Sequence, residues 1–199
     1  MQDDGTLLYR RFLDGDVKAL EQLIELYRCG LLRFIYGYVK DEGLAEDILT
    51  DVFCDLYFKR KFTERQDATL KTYLYTVARN KALNVLRKQR RQREFSLNTL
   101  LETGAFEKEK GLKEYITAKS PTPDLELERE EENERVYKAL ERIPTAYREV
   151  LILRYFDGLP PERISKILRR PKKQVYNLLS RGKTALKKQL LGENGNENF

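Results

Sequence analysis

Apolar residues recur at helical spacing through two long stretches of this chain and lose that spacing between them, and the interruption constrains the fold more than any other feature. The first stretch runs from Leu7 to Leu26, Leu31 to Val39 and Leu44 to Phe58, with Asp41-Glu42-Gly43 as a break, and then from about Thr69 to Arg91. Each such stripe must be buried against another helix, and short connections favour antiparallel neighbours. Residues 1–94 therefore predict one small helical domain. Residues 95–130 lose the period and carry Gly104, Gly111 and Ser120-Pro121-Thr122-Pro123. They predict a flexible linker whose Leu97, Leu100, Leu101, Phe106, Tyr115 and Ile116 dock when a partner is present. Helical spacing resumes after Glu130, so residues 131–191 predict a second small domain and 192–199 a frayed tail. The expected fold is all-α, two small helical domains joined by a flexible linker. Only 11 Gly and 6 Pro among 199 residues agree with that reading.

The second domain carries the more specific pattern. Val136, Leu140, Ile143, Val150, Leu151, Leu153 and Phe156 keep the period until Asp157-Gly158 stops it, and Pro160-Pro161 suits the first turn of the next helix. Glu162 to Leu168 predicts a short helix, Arg169-Arg170-Pro171 a tight turn, and the residues after Pro171 a helix to about Leu191. Two helices joined by so short a turn make a helix-turn-helix. On the last helix Val175, Leu178, Leu179, Gly182, Leu186 and Leu190 share one face. Lys173, Asn177, Ser180 and Thr184 lie opposite, flanked by Tyr176 and Arg181. A polar, basic, acid-free face fits the major groove, where Arg pairs with guanine, Asn reads adenine, and Lys and Ser reach phosphates. A plain solvated helix of a four-helix bundle is the alternative.

His is absent from the chain, so Ser-His-Asp and Cys-His nucleophile systems and His-containing zinc sites are excluded. Cys29 and Cys54 are the only thiols, too few for a Cys-only zinc site and outside any Cys-x-x-Cys spacing; they read as buried thiols of a reducing compartment. No catalytic residue, metal or cofactor is expected. The start, Met1-Gln2-Asp3-Asp4, is acidic where a signal peptide is basic, and no apolar run approaches the roughly 18 residues that span a bilayer. A cytosolic protein is expected.

Charge is distributed in blocks. Lys71 to Arg93 holds eight Lys/Arg and no carboxylate, and Arg163 to Lys188 holds ten with none. Asp124 to Glu134 holds seven acids against one Arg, and Asp41 to Asp55 six acids and no base. Two basic blocks separated by acidic ones predict two surfaces for a polyanion, with other partners on the acidic faces. Within the first basic block, Thr72-Tyr73-Leu74-Tyr75-Thr76-Val77-Ala78-Arg79-Asn80-Lys81 places aromatic rings beside cations and an amide, a pattern suited to unpaired bases. The polar loop Lys61 to Leu70 before it can cup an extruded base. Aromatics at helical spacing are more often core, which buries Tyr73, Leu74 and Val77 in the alternative reading. Asp47, Asp51 and Asp55 recur every four residues on one flank of a helix whose apolar face is Leu44, Ile48, Val52 and Leu56. They read as a solvated face or as a docking face for a basic partner.

Three segments resemble the extracytoplasmic-function type of bacterial sigma factor, the promoter-recognition subunit of RNA polymerase. They are Ala45-Glu46-Asp47-Ile48 through Val52-Phe53; Tyr73 through Asn80 with Ala82-Leu83-Asn84-Val85-Leu86-Arg87; and Leu140 to Leu190, opening with Leu140-Glu141-Arg142-Ile143-Pro144 and Tyr147-Arg148-Glu149-Val150. Gly15-Asp16 and Ala19-Leu20 add to an ordered match over about three quarters of the chain. The resemblance implies that Asp47, Asp51 and Asp55 meet the β′ clamp coiled coil of core polymerase, with the β flap as a second contact. It implies that Phe62, Tyr75, Arg79, Asn80, Lys81 and Arg87 serve the melted minus-ten element. It gives Lys172, Lys173, Tyr176, Asn177, Ser180, Arg181 and Thr184 to duplex minus-thirty-five DNA, and it implies an anti-sigma factor as a further partner, one able to hold the protein at the membrane. Departures from the family pattern fall at Tyr73, Asn84, Arg163-Ile164-Ser165 and Lys173-Gln174-Val175. A helix-turn-helix regulator that does not melt DNA is the main rival. A nucleic-acid enzyme lacks both a metal-ligand cluster and a general base.

Overall fold

The structure, a computed structural model, describes residues 4–60, 62, 69–97 and 135–194, and the chain divides into two units, Met1–Lys110 and Gly111–Phe199. Most of the expected linker, and all of the loop after Lys61 except Phe62, Thr69 and Leu70, lie outside the described residues, as does the tail beyond Asn194.

In the first unit the helices are α1 (Asp4–Leu13), α2 (Val17–Val39), α3 (Glu42–Lys59) and α4 (Leu70–Leu97). The apolar run expected from Leu7 to Leu26 is interrupted at Asp14–Asp16. Gly15 adopts φ +102°, which an L side chain rarely takes up, and Asp16 caps α2 by accepting the Ala19 N–H. Arg11 pairs with the same Asp16 carboxylate at 2.6 Å, fastening the two sides of the break. Conversely α2 runs straight through Gly30, because Leu23, Tyr27, Leu31, Phe34 and Ile35 form one buried stripe that outweighs the small helix cost of a glycine. Asp41 caps α3 through the Leu44 N–H at 2.7 Å.

The fourth helix is the axis of the unit, packing on α1, α2 and α3. Leu70, Leu74, Ala78 and Ala82 line its most buried edge, and the Leu70 N–H reaches Thr6 Oγ1 on α1 at 3.4 Å. Each fully buried leucine of this core removes enough apolar surface from water to contribute about 1.5–3 kcal/mol before chain entropy is charged. α1 approaches α2 so closely at Gly5 that a Cβ there would overlap the Tyr27 ring.

The second unit contains α5 (135–142), α6 (Thr145–Leu151), a π-helical turn (Ile152–Phe156), α7 (Pro161–Leu168) and α8 (Lys172–Asn194). The sequence predicts one helix up to Phe156; the chain instead breaks at Ile143-Pro144, since a proline restricts the residue before it and donates no N–H. Arg148, buried at 6% exposure, turns back to close that break. It donates to the carbonyls of Leu140 (2.7 Å), Glu141 (2.7 Å) and Ile143 (2.9 Å), which end α5 without helical partners. At the other end of α6 the helix widens, with Asp157 N–H donating to Ile152 O and Leu159 N–H to Leu153 O, and the chain turns through Gly158 at φ +65°. Pro161 occupies the first turn of α7. The turn between α7 and α8 is left-handed at Arg169 (φ 52°) and is held by Ser165, whose hydroxyl donates to Arg170 O at 2.6 Å.

Candidate nucleic-acid interface

Helix α8 separates its two faces as its sequence period requires. Val175, Leu179 and Gly182 are buried and Leu178, Leu186 and Leu190 half-buried, and a Cβ at Gly182 would stand 3.3 Å from Leu151 and Tyr147, so α8 seats tightly on α6. Lys172, Lys173, Tyr176, Asn177, Ser180, Arg181 and Thr184 are all exposed. Two are already engaged. Lys172 lies 3.5 Å from Glu162 at the start of α7, whose own backbone N–H chiefly, with Lys172 assisting, keeps that carboxyl below its ordinary range, and Thr184 donates back to Ser180 O. Lys173, Tyr176, Asn177, Ser180 and Arg181 are left as the open part of the face. Beside it Lys183 lies 5.1 Å from the centre of the Tyr155 ring, bringing the π-helical turn to the edge of the surface.

The turn that presents α8 is braced from behind. Arg170 approaches the buried carboxylate of Glu149 at 3.7 Å, while Arg154 Nη1 donates to Leu159 O. A helix seated on α6 and α7 presents its outer side chains in fixed register, which direct reading of base edges demands.

In the first unit the expected minus-ten residues part company. Tyr75 is 1% exposed, its ring 5.2 Å from Phe34, so it is core and offers no stacking surface. Phe62 is 7% exposed between Tyr9 and Tyr73, at 5.6 Å from each, and is likewise enclosed. Tyr75 is enclosed because α4 packs on α1, α2 and α3 and so buries more of its circumference than a helix with one apolar stripe, and Phe62, in the segment before α4, because Tyr9 of α1 and Tyr73 of α4 close on its ring. Leu74 is buried, whereas Tyr73 and Val77 are only half-buried. Arg79 is half-buried with its Nε donating to Tyr38 Oη at 3.2 Å, Asn80 is half-buried, and Arg87 is exposed beside Asn84.

Lys81 is tied into the fold by ion pairs. Its ammonium lies 3.1 Å from Asp55 and 3.3 Å from Asp51, so the cation expected at DNA and two acids expected at polymerase meet each other across α3 and α4. Burial pulls the Lys81 pKa down, but the hydrogen bond it donates to Asp55 and the charges of both acids more than offset it, leaving it above its ordinary value. Asp55 also pairs with Lys59 at 2.6 Å. That hydrogen bond chiefly, with help from Lys81 against desolvation, holds its carboxyl below the usual range. Asp47 and Asp51 remain exposed, the latter with 69% of its side chain open to water. Cys29 and Cys54, expected to be buried, are free and exposed.

Among the described residues no cluster of His, Cys, Asp or Glu could hold a metal ion, and no helix is long and apolar enough to cross a membrane. Sequence reasoning missed Arg148 and Lys81 as structural links, because their partners are backbone carbonyls in one case and lie 30 residues away in the other. It also missed the exposed aromatic pair Tyr57 and Phe58, whose apolar character gave no sign that they face water.

Residues 23–92, which include α3 and nearly all of α4, match the family described as sigma-70 region 2, and residues 133–186 match sigma-70, region 4. The RNA polymerase sigma-H factor of Pseudomonas aeruginosa is 28% identical over 189 residues, covering 95% of each chain. The ECF RNA polymerase sigma-E factor of Escherichia coli is 29% identical over 180 residues, 90% of this chain and 91% of its own. The ECF sigma factor SigW of Bacillus subtilis is 28% identical over 185 residues, 88% and 91%. Among solved structures, the sigma factor RpoE of Bartonella quintana, crystallised with the anti-sigma factor NepR, shares the fold at a TM-score of 0.63 and 24% identity, over 87% of this chain and 98% of that one. Region 2 on the four-helix unit, region 4 on the helix-turn-helix unit, and relatives matched nearly end to end make this chain a member of the sigma-70 family of the extracytoplasmic-function type, a sigma factor that serves RNA polymerase in promoter recognition.

Proposed function

We infer that this sigma factor works by differential binding and has no catalytic step of its own. The exposed acids of α3, Asp47 and Asp51, hold core polymerase. The open face of α8, chiefly Lys173, Tyr176, Asn177 and Arg181, reads duplex minus-thirty-five DNA. Asn80, Arg79 and Arg87 on α4 contact the melted minus-ten strand, whose trapped bases must offset a few kcal/mol of unstacking and unpairing. The observation that carries the reading is the recognition helix: an exposed face with no carboxylate, seated on a braced turn. An anti-sigma factor as a partner is supported by the fold shared with a sigma factor solved in complex with one. A cytoplasmic location follows from work on polymerase.

The test is reconstituted transcription. Core polymerase with this factor is expected to give run-off product from a promoter selected out of a random library, and core alone is not. Duplex binding by the factor without any run-off product would favour the non-melting regulator instead.

A further inference from the structure

Along the outer face of α3, Asp47, Asp51, Cys54 and Phe58 succeed one another at steps of four, three and four residues, which at a helical turn of 100° per residue keeps them within about 60° of arc. All four are exposed, and Phe58 is the most exposed large apolar side chain among the described residues, at 76%. A lone exposed ring needs no explanation. This one is supported: Tyr57 meets it edge-on with centroids 4.9 Å apart, and Tyr57 in turn packs 5.6 Å from the buried Phe12. The carboxylate beside the stripe, Asp55, is turned aside to Lys59 and Lys81. What α3 offers a partner is therefore two acids, a thiol and a braced ring in one line.

We propose that Phe58 is an apolar anchor of the surface by which this factor holds core polymerase, continuing the acidic end of α3 with a ring that a basic helical element of polymerase covers. The proposal rests on the reading of α3 as the polymerase face. Charge and shape select the occupant: carboxylates at Asp47 and Asp51 call for cations, and a ring further along the same line calls for aliphatic stems or a stacked guanidinium. A Lys- and Arg-bearing helix supplies all of these along one side. Aromatic anchors of this kind carry a disproportionate share of interface affinity, and surrounding charges mainly set approach and register. Cys54 lies between the acids and the ring, so it is covered in the same complex.

The experiment uses the full-length factor and purified core polymerase. Phe58→Ala is expected to weaken core binding about tenfold or more, and Phe58→Leu to restore most of it. Circular dichroism shows whether the variants fold as the parent does. In a Cys29→Ser background, alkylation of Cys54 by N-ethylmaleimide, read by mass spectrometry, is expected to slow at least as strongly in the complex. Wild-type affinity for Phe58→Ala, or equal Cys54 reactivity in the bound and free factor, overturns the proposal. Loss of binding on Asp47→Arg but not on Phe58→Ala overturns the anchor and leaves α3 as the polymerase face; failure of the unaltered factor to bind core refutes that reading itself. A dimer of the free factor that Phe58→Ala dissolves assigns the ring to a self-interface and also overturns the proposal.

Discussion

Truncating Arg148 is expected to unfold the second unit of the factor, which carries the helix-turn-helix, and spare the first. Arg148 is 6% exposed, and its guanidinium donates three hydrogen bonds of 2.7–2.9 Å to carbonyls at the end of α5, two of them buried. A buried carbonyl stripped of its donor costs about 1–3 kcal/mol, and hydrogen bonds from a charged group sit at the upper end of that scale. Water reaches the Glu141 carbonyl more easily than the others, so Arg148→Ala is put at about 3–5 kcal/mol. A unit this small has about 3–5 kcal/mol in total to lose. Arg148→Lys keeps a charge but not the fork that spans three acceptors, and should fall between the two. Hydrogen exchange on the full-length protein reads the result residue by residue: amides of α6–α8 are expected to lose protection while those of α2–α4 keep it. Unchanged protection in α6–α8, with unchanged binding to minus-thirty-five duplex, would refute the view of Arg148 as the clasp of α5 on α6.

On the open face of α8, Asn177→Ala or Arg181→Ala should cost about 1–3 kcal/mol on the cognate duplex and change the preferred base, measured by competition with single-base variants. Lys187→Ala should weaken specific and random duplexes alike and shallow the salt dependence; three identical responses would misassign the face. Asn80→Ala, assembled with polymerase, should reduce transcription from an intact duplex more than from a template with a pre-melted bubble, because the bubble removes the opening cost in advance. Lys81→Met should destabilise the first unit at neutral pH. The Asp55 pKa is depressed in the fold, so its share is present above the unfolded carboxylate value of about 3.9 and lost as pH falls through the folded one. The Lys81 share is full below about 10.4 and lost as pH rises through its raised folded value. Urea unfolding of parent and variant should therefore converge at both extremes, and a gap that persists at low pH would deny the network.

What the sequence shows of this fold and what it hides follow one line. A helix whose neighbours all meet one edge obeys a single stripe, and α8, packed on α6 and α7, does: its buried edge and its exposed cations fall where 100° per residue puts them. α4 has three neighbours, so Tyr75 and Leu74 are both buried though they point about 100° apart, and a ring that looks available on a wheel is core. The breaks hide for a related reason. Gly30 and Gly15 look alike in sequence; the stripe of α2 continues across the first, and the second has a capping Asp16 after it, so only there does the chain turn. The π-helical turn after Leu151 leaves no trace at all, because widening a helix by one residue changes hydrogen-bond partners and not residue types.

The site follows the same logic with charge in place of burial. Block composition marks the acidic segment around α3 and the basic one along α4 as separate surfaces, and separation in sequence makes each look free to meet its own macromolecule. Packing α3 on α4 brings Asp51 and Asp55 to Lys81, so that groups separate in sequence meet each other in the fold. A half-exposed ion pair contributes little to stability by itself. Its position matters more: it crosses between α3 and α4, and so fixes the angle at which one helix presents the other. Substituting Lys81 should then disturb base capture through geometry instead of a lost phosphate contact. The two differ in one measurable respect, since a lost phosphate contact lowers the salt slope of DNA binding and a shifted helix does not.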